Sequence, residues 1–359
     1  MKFNNLPYLI SKEILSHLPV ADLLIFSQCS KKHMSYIQYL LKHELPKIGP
    51  IGIYSNDVRS SWDIEGDLAT YIKMEPLRKG DRPVAPFCTL RLFGLELSCR
   101  PATDHEPMIV FGKKEHEEDL LQSFYNSIYT LFGPLIGYHL NVYQRPPQYW
   151  SGQPDYYIPK LQHITKCAIQ SQYSTELEKN LKDLLLLSPN MEYLFLLRLN
   201  ICDLLDIPEM RQIPELEIGT FDGCFGEFLR KFTGKQLRVD CVHESQLDNT
   251  AVIAFLSAWN TKIAYGNMEL LQVKCDSTPF NVNEIMEKCD IRQFDFPTQF
   301  KYQTTDTCNT YEESFESHHY IVRESDGRVA SLKITPENFQ FGVWNWTEEQ
   351  FLEEHLKRK

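Results

Sequence analysis

Residues 6–41 read LPYLISKEILSHLPVADLLIFSQCSKKHMSYIQYLL, and how this stretch folds decides how the rest of the chain is read. Leu6, Ile10, Ile14 and Leu18 recur every fourth residue, the spacing of one helix face, and Leu15 widens the stripe. Pro19 ends that helix, because proline lacks the N–H that a continuing turn needs. A second short helix carries Leu23, Leu24 and Phe26; Ser30 is placed to cap a third, in which Met34, Ile37 and Leu41 recur at helical spacing. Three short helices over about 36 residues cannot enclose a core of their own, so part of this apolar surface must meet another surface. That surface is either the rest of the chain or a second protein.

Working outward, residues 46–159 predict a β-rich connecting region. Ile51-Gly-Ile-Tyr54 reads as a short strand. Tyr71 to Phe111 alternates apolar runs with Pro, Gly and Asp clusters, the pattern of a three- or four-stranded antiparallel meander. Glu115 to Phe132 places Leu120, Leu121, Phe124, Ile128 and Leu131 at helical spacing, with an acidic first turn and Gly133 past its end. Tyr138 to Tyr143 follows as a strand. Arg145 to Pro159 is a loop with four Pro and the aromatic residues Tyr149, Trp150, Tyr156 and Tyr157, either packed on the structure beneath or forming a contact surface.

Residues 160–346 predict a mixed α/β domain in which helix-like and strand-like segments alternate. The strand anchors Leu194, Leu216, Leu237, Leu271 and Phe294 are separated by 22, 21, 34 and 23 residues. Such steps suit a degenerate leucine-rich-repeat-like solenoid, each unit covering the apolar face of its neighbour. Asp326-Gly327, flanked by YIVRE and RVASLKI, predicts a two-residue hairpin with positive φ at both turn positions. A third strand from Phe339 to Trp344 completes a sheet that would close the solenoid's end, and residues 347–359 form a short helix or a frayed tail. The fold class is thus α+β or α/β behind a three-helix N-terminus of residues 1–45.

The chain of 359 residues is 43% hydrophobic and 24% charged, ordinary for a soluble globular protein, with a net charge of −11. Met1 to Lys47 holds six Lys against three acidic residues, or +3, which leaves −14 for the remainder. An acidic remainder without a basic stripe argues against nucleic-acid binding. The ten cysteines stand no closer than eleven residues apart and form no CxxC pair, so zinc ribbons and RING-type modules are without support. They read as reduced, buried small hydrophobes. No run approaches the roughly 18 apolar residues of a membrane span, and the expected location is cytoplasmic or nuclear.

Leu6-Pro7 at the opening, Leu18-Pro19 at the close of the first helix, then Asp22-Leu23-Leu24 and Ser27-x-Cys29-Ser30-Lys31-Lys32, resemble an F-box. The resemblance implies that the first two helices dock on the Skp-type adaptor, and through it on the cullin, of an SCF-type ubiquitin ligase. Leu6, Pro7, Ile10, Ile14, Leu15, Leu18, Pro19, Leu23 and Leu24 would be the docking residues, in a helix-in-groove mode. The third helix lacks the Trp that many F-boxes carry. Residues 318–346, through Ile321, Arg323, Asp326-Gly327-Arg328, Ala330, Phe339, Phe341, Val343 and Trp344, resemble the C-terminal signature of the F-box-associated domain type 2 of the large nematode-expanded F-box family.

No nucleophile elbow, HExxH, Walker loop or dinucleotide fingerprint is present, and no cofactor is expected. His318 and His319 are adjacent on a strand and point to opposite faces; Glu115-His116-Glu117-Glu118 reads as a solvated helix start. The expected role is a non-catalytic receptor that binds a target protein. The alternatives are an interaction scaffold that binds the adaptor without promoting ubiquitylation, and a hydrolase whose site the sequence does not reveal. If the repeat strands lie side by side, Glu217, Arg238, Asp240, Gln272, Lys274 and Asp295 share the open face of one sheet, where they would be either a solvated face or a target-binding row.

Overall fold

A computed structural model describes residues 6–18, 20–45, 49–56, 61–65, 70–76, 88–92, 95–100, 108–112, 117–134, 136–143, 158–170, 175–197, 207–221, 225–242, 249–275, 279–305 and 310–356. The chain forms two compact units, Met1–Lys166 and Cys167–Lys359. Pro19, Glu115, His116 and the aromatic residues of the 145–157 loop lie outside the described residues.

The first unit opens with α1 (Tyr8–Ser16), α2 (Val20–Gln28) and α3 (Lys31–Leu40). Ser30 caps α3 by accepting from the His33 N–H at 3.1 Å, as its place before the helix predicts. Next come β1 (Ile51–Asn56), β2 (Ser61–Glu65), β3 (Thr70–Pro76), β4 (Cys88–Leu92), β5 (Leu95–Arg100), β6 (Met108–Gly112), α4 (Glu117–Phe132) and β7 (Tyr138–Tyr143). The strand order is β7-β1-β2-β3-β6-β5-β4. Over 71–111 the expected antiparallel meander forms in three strands, β4, β5 and β6; β3 stays outside it, pairing in parallel with β6 and antiparallel with β2. A pairing partner is chosen by which faces bury together, so adjacency in sequence does not fix it. The α4 stripe is as predicted, with Leu120, Leu121, Phe124, Ile128 and Leu131 buried, and Gly133 takes φ +76 at its C-terminal end.

The second unit contains β8 (Lys166–Gln170), α5 (Thr175–Leu187), β9 (Tyr193–Leu197), a 3-10 turn at Met210–Gln212, β10 (Glu215–Ile218), α6 (Phe225–Lys231), β11 (Gln236–Val242), α7 (Asn249–Asn260), β12 (Leu270–Cys275) and α8 (Val282–Lys288). It closes with β13 (Arg292–Thr305), β14 (Thr310–Val322), β15 (Arg328–Ile334), β16 (Asn338–Thr347) and α9 (Glu348–Leu356). β9 to β12 lie side by side in sequence order and parallel, and the register aligns Leu194, Leu216, Leu237 and Leu271 in one row. These four anchors are buried, and the row continues antiparallel into Phe341 of β16. Phe255 and Trp259 of α7 pack edge-on against Phe341 at 5.0 and 5.1 Å, so this face of the sheet lies under helices.

Phe294 does not join the row. Its strand β13 is the far end of the order β12-β16-β15-β14-β13, and Phe294 packs with Tyr320, Val329 and Phe351 instead. The terminal sheet therefore has four strands rather than three, and it continues the parallel strands directly through β16. Phe351 is fully buried, which makes α9 an integral helix rather than a frayed tail.

The hairpin between β14 and β15 stands where Asp326-Gly327 predicts it, with a longer loop. Arg323 N–H donates to the Arg328 carbonyl and Gly327 N–H to the Arg323 carbonyl, both at 2.8 Å, so Glu324 to Gly327 all belong to the loop. Only Gly327, at φ +70, adopts the left-handed conformation. Both Asp326 carboxylate oxygens accept from the Arg323 guanidinium at 2.8 Å, which ties the loop to the residue that closes it.

Candidate docking site

The N-terminal helices divide their apolar residues between two surroundings. Leu15, Leu23 and Leu24 are 0, 3 and 2% exposed, and Ile37, Leu40 and Leu41 are buried with them. α2 and α3 lie against α4, and the Gln38 side chain donates to the Thr130 carbonyl at 2.6 Å. The expected docking set is thereby split. Leu15, Leu23 and Leu24 are buried within the first unit, where α2 and α3 lie against α4.

The other half of the set faces outward. Ile10 and Ile14 are 50 and 40% exposed, with Tyr8 at 49%, Leu9 at 74% and Tyr39 of α3 at 69%. Pro7 is also exposed, while Leu6 and Leu18 are half-buried. The stripe of every fourth residue is thus the solvent side of α1, and the residue that widens it, Leu15, points inward. Tyr8 and Tyr39 meet edge-on at 6.2 Å, joining α1 and α3 into one outward surface. Lys12 bridges to Glu44 at 2.8 Å, and that contact raises the Lys12 pKa. Sequence reasoning missed Tyr8, Leu9 and Tyr39. Their signal is an excess: α1 carries more apolar residues than a nine-residue helix can turn toward one core. An aggregate of large apolar side chains on one surface is the kind of patch that marks a protein-docking site.

The second candidate surface is the polar row of the parallel strands, and the structure corrects its expected openness. Glu217, Arg238, Gln272, Asp240 and Lys274 do share the face opposite the helices. The distal half of the β13–β14 hairpin, residues 298–305 and 310–317, folds across that face. Phe300 and Phe315 bury against Leu270, and the Phe300 ring lies so close to Gly342 that an added Cβ would come within 2.3 Å of it. Further along, Gln236 donates to the Gln303 carbonyl at 3.2 Å, Arg238 to the Thr305 carbonyl at 3.1 Å, and Gln272 to the Tyr302 hydroxyl at 2.6 Å.

Arg238 is consequently 8% exposed and also pairs with Glu217 at 2.6 Å. Burial raises the Glu217 pKa, opposed by the Arg238 charge and by a hydrogen bond from Tyr193. Tyr302 in turn donates to Glu313 at 2.6 Å, and burial raises its phenol pKa. Asp240 and Lys274, 3.5 Å apart, remain exposed; Asp295 lies on β13 at the break in its pairing and is no part of the row. Polar alternation along a strand says that a face is not oily, and a second polar layer satisfies it as water does.

Among the described residues no group of three or more His, Cys, Asp or Glu side chains is placed to hold a metal, and no helix is long and apolar enough to cross a membrane. No curated protein and no solved structure matches the chain significantly. Residues 3–41 match the F-box domain. The chain therefore carries at its N-terminus the domain by which subunits of SCF-type ubiquitin ligases bind a Skp-type adaptor and, through it, a cullin.

Proposed function

We propose that the chain is a substrate receptor: the F-box fixes it to the adaptor, and the second unit binds a target protein for ubiquitylation. The observation that carries this reading is the outward apolar surface of Tyr8, Leu9, Ile10, Ile14 and Tyr39 within the F-box match. In this role the protein is non-catalytic. It raises the effective concentration of target near the transferred ubiquitin, while other subunits do the chemistry, in the cytoplasm or nucleus. The second unit is read as an F-box-associated domain of type 2 on a leucine-rich-repeat-like run of strands. The aligned leucine row supports the second part, and the burial of Ile321, Arg323, Ala330, Phe339 and Phe341, signature residues that hold the terminal sheet, supports the first.

The test is co-precipitation of the adaptor from cells, with the parent chain and with Ile10→Asp, Ile14→Asp, followed by comparison of captured proteins with and without proteasome inhibition. A receptor captures the adaptor through the parent alone, and a protein that accumulates on inhibition is its target. Undiminished adaptor capture by the variant would sink the docking assignment. Adaptor capture without any protein that accumulates would favour the scaffold role instead.

A further inference from the structure

The geometry points to the distal half of the β13–β14 hairpin being a strap that lifts from the polar face of the parallel strands, uncovering Gln236, Arg238 and Gln272 for a target. This rests on the reading of the second unit as target-binding, and it assigns that binding a closed and an open state.

The strap has its own hinge. β13 pairs with β14 at Arg292 and Gln293, breaks, and resumes at Thr298, with Pro297 inside the break. On the near side of the break, β14 also pairs with β15, through His319 to Val322. Beyond it, residues 298–305 and 310–317 pair with each other and, among the described residues, with no further strand. A two-stranded ribbon attached at one end can move as a body without breaking the main sheet.

The underside of the strap is graded. Near the hinge it is apolar, with Phe300 and Phe315 on Leu270 beside Gly342 and Trp344. Farther out it is polar, and the charges are balanced within each layer. Arg238 keeps Glu217, and Glu217 keeps Tyr193, all on the parallel strands; Tyr302 keeps Glu313 and Lys301 keeps Glu312, all on the strap. The bonds that cross, from Gln236, Arg238 and Gln272, each involve a neutral group on the strap, so among the described residues lifting it breaks these bonds without separating opposite charges at them.

The closed state also leaves polar atoms unsatisfied: Gln236 Oε1 and Glu215 Oε2 on the sheet and Thr304 Oγ1 on the strap are buried without a partner among the described residues. Lifting the strap would give these atoms water as a partner.

Hydrogen exchange of the full chain, without adaptor or target, tests this. Amides of 298–305 and 310–317 are expected to exchange as one group, about tenfold or more faster than those of 328–334. Phe300→Ala should speed the strap several-fold further, by roughly the loss of one buried aromatic anchor, and leave 328–334 unchanged. Tyr302→Phe, which removes the bonds to Gln272 and Glu313 but keeps the ring, should act in the same direction should the alanine variant fail to fold. Strap amides that exchange at the rate of 328–334, with the same denaturant dependence, would overturn the proposal. Because no partner is present, a fixed strap on a chain that captures targets and a moving strap on one that captures none are separate outcomes: the first ends this inference, the second the receptor reading.

Discussion

The Arg323 guanidinium lies 5.0 Å above the ring of Trp259, and neither side chain is more than 2% exposed. The hairpin loop that follows β14 is thereby held against the C-terminal end of α7, where Glu324 N–H also donates to the Asn260 carbonyl at 3.0 Å. Arg323 is buried although its partner Asp326 is exposed, so Arg323→Ala chiefly loses the contact with Trp259 and the packing of a buried side chain, and should destabilise the second unit by about 1–3 kcal/mol. Arg323→Lys should recover less than half of this, since an ammonium cannot make the two-pronged contact to Asp326. Denaturant unfolding of both variants checks the order.

The same contact sets an acid limit. Hydrogen bonds from Arg323 hold the Asp326 carboxyl down to about 2, against 3.8 when unperturbed. A carboxyl whose folded pKa is depressed contributes stability that is whole above 3.8 and is lost as pH falls toward 2. Asp326→Asn lacks that contribution at every pH. Thermal melts of parent and variant should differ near neutral pH and converge as pH falls through this window; a constant difference would contradict the assignment.

Gly327 is the residue of the hairpin loop in the left-handed region, at φ +70. Gly327→Val places a β-branched side chain there and should cost about 1–3 kcal/mol, whereas exposed Ser325→Ala should lie within roughly 0.5 kcal/mol of the parent. The melting temperature of the second unit distinguishes them.

Substitutions on the two sides of the F-box should fail differently. Ile10→Asp and Ile14→Asp fall on exposed positions and should abolish adaptor binding while the circular dichroism spectrum and melting temperature stay those of the parent. Leu15→Asp and Leu23→Asp bury a charge among α1 to α4 and should unfold the first unit, losing binding only as a consequence. Binding and melting measured on the same preparations separate the two.

Phe351→Ala should loosen α9 by about 3–5 kcal/mol of lost packing against Phe294, Tyr320 and Trp344. Early proteolysis within residues 348–356 would report it.

Elements with a strong local period were legible before the structure. The apolar stripe of α4 is buried from Leu120 to Leu131 and β7 spans Tyr138–Tyr143, as their sequences predict, because a continuous apolar stripe or alternation needs no distant information. What covers each face was not legible. Nothing local to α2 says that α4 will lie against it, and nothing local to Arg238 says that Thr305, 67 residues on, will cap its guanidinium. The parallel pairing of β3 with β6 hides for the same reason, since a crossover partner is decided by global packing. The turn at Asp326 shows the intermediate case: Gly327 marks its place, but the dipeptide encodes neither its length nor the bond from Arg323 to Asp326.

The contact of α2 and α3 with α4 has a consequence for how this domain can be handled as a part. A fragment ending at residue 45 would strip from α2 and α3 the helix that lies against them and should aggregate when expressed alone, whereas one ending at residue 166 retains it. Transplanting the F-box onto another protein would require the host to supply an equivalent of Leu120 to Phe132, and grafts that omit it should lose adaptor binding through misfolding alone. With that brace in place, the exposed stripe of α1 belongs to a unit that ends at Lys166 rather than at the domain's own boundary, so swapping the braced piece exchanges the adaptor handle together with its bearing surface.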